Sequence, residues 1–545
     1  MSPQLQVLLA AWVVSAAWVL LAPGPARAQV APPSPGAEAL EKRPDSTLSL
    51  KGYYRVRGDV FHNLDLDRGP TPQGSYLFPL PASNPRDQVL QSSNMRLRLE
   101  PAWRVTRSVR VIMQVDFLDN LVLGSTPAGL PRDRWTPMAA ATLGQVSPES
   151  GKNSWGDAVI VRRAWGEVLL PFGVVAVGRQ GALVNWGTGF FINAGNDLDA
   201  DRSDSADRAV FATSLAGHLW MVAFEWSASG PTSAGLWPED QPLDRDPRDN
   251  VRTYAFGFAR YHTDAGVRRR TRAAAVSVNY GLIASYRTQK IDVPGYYAPG
   301  GLSGSYGPDA VVSRGLQTVS ADLWFRLVHR RFRLEVEAAV IWGRIGDASL
   351  DPGVSLGTAI ESLQYGGVVQ AAWTPWGGGF SLGLEVGLAS GDPAPGFGVR
   401  SPLDQAQAVP GDVDGPQFRL PQDNRVDNFR FHPNYHVDLI LFRRILGTVS
   451  DSVYLRPWVR WTSRWGLALE AVAISSFALE AASPPGGERP LGVELDVGAR
   501  FRFDRSFVVR VGFGVLVPLA GLDNAALGLK AKPATTLHVL MGFVL

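Results

Sequence analysis

The sequence predicts an all-β fold: a transmembrane antiparallel β-barrel of about 18 strands, with short periplasmic turns and long extracellular loops. Three observations predict it. A two-residue apolar period starts at Leu48 and hardly stops, an export signal precedes it, and the connections alternate between short and long. The period is clearest at 491–518, where Leu491, Val493, Leu495, Val497, Ala499, Phe501 and Phe503 share one register and Glu494, Asp496, Arg500 and Arg502 the other. Asp504-Arg505-Ser506 then turns the chain, and Phe507, Val509, Val511, Phe513, Val515 and Val517 repeat the pattern against Arg510, Gly512 and Gly514. Successive strand side chains point to opposite faces, so each strand is apolar on one side and polar on the other. At roughly 12 residues each, such strands cross a bilayer at a tilt.

Composition favours strands over helices as the spanning elements. The chain has 545 residues, 45% of them hydrophobic, and no apolar run after the N-terminus reaches the ~18 residues a spanning helix needs. Residues 7–22 are apolar, Pro23-Gly24-Pro25 breaks them, and Ala26-Arg27-Ala28 is a small-x-small cleavage site. Residues 1–28 are therefore expected to be a signal peptide rather than a membrane anchor, with one departure: Arg27 is the first basic side chain. Residues 29–47 are Pro-rich and polar, a periplasmic linker, and 48–545 form the barrel. Without cysteine, disulfides, thiolate metal sites and cysteine nucleophiles are excluded, and a closed ring of strands supplies stability instead. A net charge of +3 makes no case for nucleic acid. The expected partners are outer-membrane lipid, lipopolysaccharide and the barrel-assembly machinery, with the barrel a monomer or a trimer.

The first strand sets Leu48, Leu50, Gly52, Tyr54 and Val56 against Ser49, Lys51, Tyr53, Arg55 and Arg57. The next two set Met95, Leu97 and Leu99 against Arg96, Arg98 and Glu100, and Val109, Val111, Met113, Val115 and Phe117 against Arg110, Gln114 and Asp116. Further strands are expected around Trp220–Trp226, Tyr254–Phe258, Ala274–Leu282, 319–327, 332–342, 363–373 and 380–388. Short connections (215–217, 329–331, 374–379) alternate with long polar ones (65–92, 121–156, 185–204, 229–249, 289–312, 392–430), the layout of an outer-membrane barrel. Trp220, Trp226, Trp342, Trp373 and Trp376 fall at strand ends, where an interfacial girdle needs them. Counting directions from both ends makes the strand at 379–391 the thirteenth and leaves five after it. That count leaves 434–447 without a wall position. Its Val437, Ile440, Leu441 and Ile445 fit a helix, with Gly447 as a stop, so a short helix inside a long outer loop is expected there, the alternative being one more strand.

The inward register is unevenly charged. Arg55, Arg57, Arg96, Arg98 and Arg110 come from the first three strands, Arg500, Arg502 and Arg510 from strands near the closing seam, and Arg456 and Arg460 extend the patch. Across the ring stand Glu335, Glu337 and Glu385. A basic wall facing acidic groups would bias a pore toward anionic or zwitterionic solutes; alternatively, these groups pair and fill the lumen as a polar core. In 196–207 the alternating Asp197, Asp199, Asp201 and Asp204 resemble the start of a calcium loop, although Arg202 stands where Gly is wanted and Arg208 where Glu is; an ordinary solvated loop is the competing reading. No other cofactor is implied. The seven histidines include only His432 and His436 at ligand spacing, with Pro433 between them. No catalytic motif occurs, so a non-enzyme is expected.

Arg162-Arg163-Ala164-Trp165-Gly166-Glu167-Val168, Pro171-Phe172-Gly173 and Gly178-Arg179-Gln180 resemble a strand pair of Gram-negative porins. With Asn185-Trp186-Gly187-Thr188-Gly189, Gly195-Asn196-Asp197-Leu198-Asp199 and Phe431-His432-Pro433-Asn434-Tyr435-His436-Val437-Asp438, the chain is similar to an uncharacterised family of predicted outer-membrane proteins of myxobacteria-like bacteria. That resemblance implies fold and location only. Ala389-Ser390-Gly391-Asp392 and the Pro433-Asn434-Tyr435-His436 pattern look like short segments of alginate-export-type porins, which implies an Arg-rich channel of 18 strands. The expectation is an outer-membrane porin-like channel for small hydrophilic solutes, anionic ones included. The alternatives are a plugged barrel with adhesion or recognition loops, and a polysaccharide porin.

Overall fold

The computed structural model describes residues 46–83, 88–124, 154, 158–233, 244, 246–294, 311–350, 352–375, 379–398, 408–504 and 506–545. The signal peptide at 1–28, the linker up to residue 45 and Trp376 lie outside the described residues.

Alternation drives the chain into strands that pair with their sequence neighbours. The first nine are β1 (Thr47–His62), β2 (Val89–Arg104), β3 (Val109–Val122), β4 (Val159–Leu170), β5 (Gly173–Gly181), β6 (Ser205–Leu215), β7 (His218–Ser227), β8 (Val251–Arg260) and β9 (Ser277–Gln289). The rest are β10 (Leu316–His329), β11 (Phe332–Ile345), β12 (Ile360–Trp373), β13 (Phe380–Ala389), β14 (Ser452–Thr462), β15 (Leu467–Ala478), β16 (Pro490–Phe503), β17 (Phe507–Pro518) and β18 (Ala534–Val544). All 18 form one sheet. β18 returns to β1, Tyr53 opposite Val544 and His62 opposite Thr535, and the ring closes. The expected count holds, with β13 the thirteenth strand and five after it.

Burial is inverted relative to a water-soluble protein. On β16, Leu495 and Val497 are 57% and 53% exposed, whereas Glu494 and Asp496 between them are 2% and 8% exposed. An apolar outer face with no partner sheet, on a ring that leaves no backbone edge, is satisfied only in lipid. The molecule is an outer-membrane β-barrel. Among the described residues, no helix is long and apolar enough to cross a membrane. Trp226, Trp342, Trp373 and Trp461 are exposed toward strand ends, at girdle height.

Two segments depart from expectation. The strand expected from Ala274 begins instead at Ser277, and the turn before it carries a helix, α1 (Asp264–Arg272). Thr263 caps it by accepting from the Gly266 N–H, and Arg269, Arg270 and Arg272 sit in its last turn, where the helix dipole favours cations. The helix expected within 434–447 is shorter than its apolar spacing suggested: a π-helical segment spans only Leu441–Leu446, and Gly447 at φ 87 ends it. A left-handed stop suits a residue without a Cβ. The apolar core lies inside the barrel mouth, where Phe190, Phe397, Phe429, Phe431, Ile440, Phe442 and Ile445 pack together.

Candidate functional site: the occupied lumen

Two outer loops fold inward, 182–204 between β5 and β6 and, of the loop between β13 and β14, the described residues 390–398 and 408–451. The first lies against the arginines of the opening strands. Arg55 donates to the carbonyls of Leu198 and Ala200 at 2.6 and 3.2 Å and to Asp201 at 2.6 Å. Arg57 reaches Asp199 at 3.1 Å and Asp201 at 2.8 Å. Arg96 holds Asp119 at 2.6 Å and the Ala200 carbonyl at 2.7 Å. Arg98 clasps Asp116 through two bonds of 2.6 and 2.8 Å and donates to the Gly195 carbonyl. From the far side of the seam, Arg510 grips Asp197 at 2.8 and 3.0 Å. Planar guanidinium forks are suited to such bidentate bonds. Burial works to raise the Asp201 pKa, but Arg57 and Arg55 outweigh it and hold the carboxyl below its ordinary value.

The second loop is fixed by carboxylates of the wall and its own chain. Glu494 accepts the backbone N–H groups of Leu439, Ile440 and Leu441 at 2.9, 2.7 and 3.0 Å. Asp438 accepts those of Phe442 and Arg443. Between them they satisfy the orphan donors at the start of the helical segment, where negative charge is favoured. Arg443 then bonds Asp199 at 2.7 Å, and Arg444 bonds Asp59 at 2.8 Å. Burial opposes ionisation of Asp199, yet Arg443 and His538 hold its pKa well below the ordinary value. The loops also join each other: Asn434 accepts from the N–H groups of Asp201 and Arg202, and the His432 N–H donates to the Phe190 carbonyl.

The acidic residues face inward but do not form an opposed wall. Glu385 is the direct cross-strand partner of Arg456, and it accepts the hydroxyls of Tyr435 and Tyr454 at 2.9 and 2.7 Å. Glu335 is bonded by Trp324 and Arg333. Glu337 accepts the Thr188 N–H. The adjoining Gly187 adopts φ 54, and a Cβ there would stand 2.2 Å from the Glu337 carboxylate, so only glycine lets the loop lie this close. Arg110 pairs with Glu167.

What remains is a cavity of about 650 Å³ between the inward loops and the β14–β18 wall. Arg443, Arg456, Arg460, Arg500, Arg502 and Arg510 line it, together with Asp197, Asp199, Asp438, Glu470 and Asp496. Arg460 pairs with Glu470 at 2.6 Å. Among the described residues, Arg500 and Arg502 have no carboxylate within ion-pairing distance. They are exposed to the cavity.

Sequence treated the arginine patch and the aspartate run as separate features. The structure joins them: Asp197, Asp199 and Asp201 bond arginines, and Asp204 accepts the Asn193 N–H. Among the described residues, no group of three or more His, Asp or Glu side chains is arranged to hold a metal ion. Arg55, Arg57, Arg96 and Arg98 thus do not face an open lumen. The part of His538 was not foreseen; it bonds Asp59 at 2.7 Å and stands 3.3 Å from Asp199. No spacing rule reaches it, because its partners come from β1 and a distant loop.

No family model matches the chain, and no curated protein matches it in sequence. Solved structures that match include the Pseudomonas aeruginosa protein OccK9 (OpdG), at 12% identity over 91% of this chain and 98% of that one, with a TM-score of 0.43. The P. aeruginosa outer membrane protein opdK matches at 11% identity over 91% and 99%, with a TM-score of 0.41. An anion-selective porin from Comamonas acidovorans matches at 9% identity over 92% and 100%, with a TM-score of 0.35. These matches do not reach either of the narrower resemblances drawn from motifs, and the fold assignment rests on the strand pairing itself.

Proposed function

We propose that the protein is an outer-membrane channel for small hydrophilic solutes, whose selectivity is set by the arginines left free in a lumen narrowed by its own loops. The observation that carries this reading is the cavity of about 650 Å³ whose wall presents Arg500 and Arg502, which have no counter-ion among the described residues. Fixed cations in a confined, low-dielectric passage raise the local concentration of anions. The paired arginines contribute little, since their fields are neutralised at contact distance. Ion conductance in planar bilayers tests the reading: a current with anion preference is expected, and no current from correctly folded protein would sink it.

A second reading has its own support. Residues 182–204, 390–398 and 408–451 are tied to the wall and to each other through ion pairs and backbone bonds, which suits a plugged barrel whose outer loops recognise surfaces. Trimming outer loops would then abolish cell-surface binding and leave permeability unchanged. Polysaccharide export is less well supported, because a polymer needs a continuous lumen where these loops now lie.

A further inference from the structure

Arg500 stands where a guanidinium needs a counter-ion. It is directly opposite Arg510 across the β16–β17 pair, and like charges in that relation repel. Asp197, carried in on the first loop, relieves Arg510 through two hydrogen bonds and leaves Arg500 uncompensated. The charges that bear most strongly on Arg500 are those of Arg510, Arg502, Asp197 and Arg460, three guanidinium groups and one carboxylate.

Charge accounting across the cavity leaves two groups over. Asp199 takes Arg443, and Glu470 takes Arg460 at 2.6 Å and Arg456 at 3.8 Å. Asp438 is occupied by backbone N–H groups, and Asp496 shares a hydrogen bond with Glu494. Among the described residues, no loop carboxylate reaches past Arg510 to Arg500 or Arg502. The inward positions beside Arg500 are small: Ala468 is its β15 neighbour, and Gly498 is the next inward residue along β16. Both arginines are exposed to the cavity, so the room beside them is open rather than packed.

We propose that Arg500 and Arg502 form a binding site for a doubly charged phosphoryl group, borne by a small solute or free as inorganic phosphate. Two uncompensated cations are neutralised by one dianion. They share one face of one strand, two residues and roughly 7 Å apart at the backbone, close enough for both long side chains to converge on a single centre. A phosphoryl group concentrates up to two charges and three acceptor oxygens on such a centre, and planar guanidinium forks match its geometry. A monocarboxylate would leave one arginine uncompensated. The inference names the solute class for the channel reading above, on which it rests, and it is measured without current.

Titration calorimetry on the folded, detergent-purified full chain tests it with inorganic phosphate, glucose 6-phosphate, succinate and dimethyl phosphate, the last a phosphoryl centre of single charge. The better of the two dianionic phosphoryl probes is expected to bind at least about tenfold more tightly than succinate or dimethyl phosphate, the size of effect one good charged contact supplies. Tighter binding of inorganic phosphate identifies the free ion as the ligand; equal or tighter binding of glucose 6-phosphate identifies a phosphorylated solute. Arg500→Gln and Arg502→Gln should each remove the advantage, whereas Arg107→Gln, in the β2–β3 turn outside the cavity, should keep it. If either cavity variant does not fold, as judged by heat-modifiable gel migration, Ala468→Leu serves instead: it fills the space beside Arg500 without changing charge and should weaken both phosphoryl dianions. Dimethyl phosphate or succinate binding as tightly as the dianions, an equal loss in Arg107→Gln, or no binding overturns the site. Binding without bilayer current would overturn the channel and keep the site; current without binding does the reverse.

Discussion

Asp199, carried inward on an outer loop, stands 3.3 Å from the Nε2 of His538 on the strand that closes the ring, and the Nδ1 of the same imidazole bonds Asp59 at 2.7 Å. Arg57 and Arg443 complete the shell around Asp199. One loop carboxylate therefore links the first strand, the last strand and the second inward loop. Removing it leaves Arg443 inside the barrel without its carboxylate, while Arg57 keeps Asp201. Breaking a buried ion pair by deleting one partner costs about 3–5 kcal/mol. Asp199→Asn is expected to loosen the junction between the two loops while their other bonds to the wall stay in place, with a lower thermal midpoint for the lumen structure and a larger single-channel current. An unchanged midpoint and current would show that this junction is not what holds the loops in the lumen.

Selectivity should follow counter-ions rather than arginine number. Arg502→Glu is expected to move the reversal potential toward cations, because the side chain is exposed to the cavity and unpaired. Arg98 is bound to Asp116 and to the Gly195 carbonyl. Arg98→Glu would place two carboxylates together in the barrel interior and should impair folding, measured as loss of heat-modifiable migration. A pure selectivity shift from Arg98→Glu, with folding intact, would contradict the neutralised-wall account.

The barrel itself was legible because lipid imposes a strict rule on every strand: one face apolar, the other free to be polar. Leu495 and Val497 obey it next to Asp496, and the strand count followed from direction alone. The contents of the lumen obey no such period. That Arg57 meets Asp201, or that Glu494 caps the start of Leu441–Leu446, depends on how far each loop falls into the ring. The motifs at 185–189, 195–199 and 431–438 did mark unusual segments, and all three lie in the inward loops. Their composition showed that something was special there, but not that the aspartates would neutralise the arginines. The residual pair Arg500 and Arg502 became visible only after the other charges had been assigned partners.

Acidity should loosen the second loop through His436. Burial, followed by the nearby Arg443, lowers its pKa to about 3, so it is neutral inside the folded structure, with Asp197, Asp199 and Asp201 also near it. A group whose folded pKa is depressed contributes stability that is complete above the unfolded value of ~6.5 and is lost as pH falls toward the folded value. Asp438 acts oppositely: burial raises its pKa to about 6, so its contribution is lost as pH rises through that value. The two slopes offset each other between roughly pH 4 and 6. Asp438→Asn removes one of them, and its channel current is expected to rise on acidification below about pH 6.5, more steeply than that of the unmodified protein. A pH-independent current in the variant would rule out His436 as the titrating group.

Gly187 tests whether the first loop is held by fit as well as by charge. Its φ of 54 lies in the left-handed region, and an added Cβ would come within 2.2 Å of Glu337 Oε2 and 2.8 Å of Trp324. Gly187→Ala adds one methyl group and leaves every ion pair of the loop intact. Left-handed strain costs about 1–3 kcal/mol, and the close contact adds to it by forcing Glu337 away from the Thr188 N–H. The variant should fold as a barrel with normal heat-modifiable migration, because no wall hydrogen bond depends on this residue. Its loop should detach locally, so that proteolytic nicking within 182–204 becomes faster and the current noisier. Rates of nicking equal to those of the unmodified protein would place the anchoring of this loop in its ion pairs and hydrogen bonds, those to Arg55, Arg57, Arg96, Arg98 and Arg510 among them.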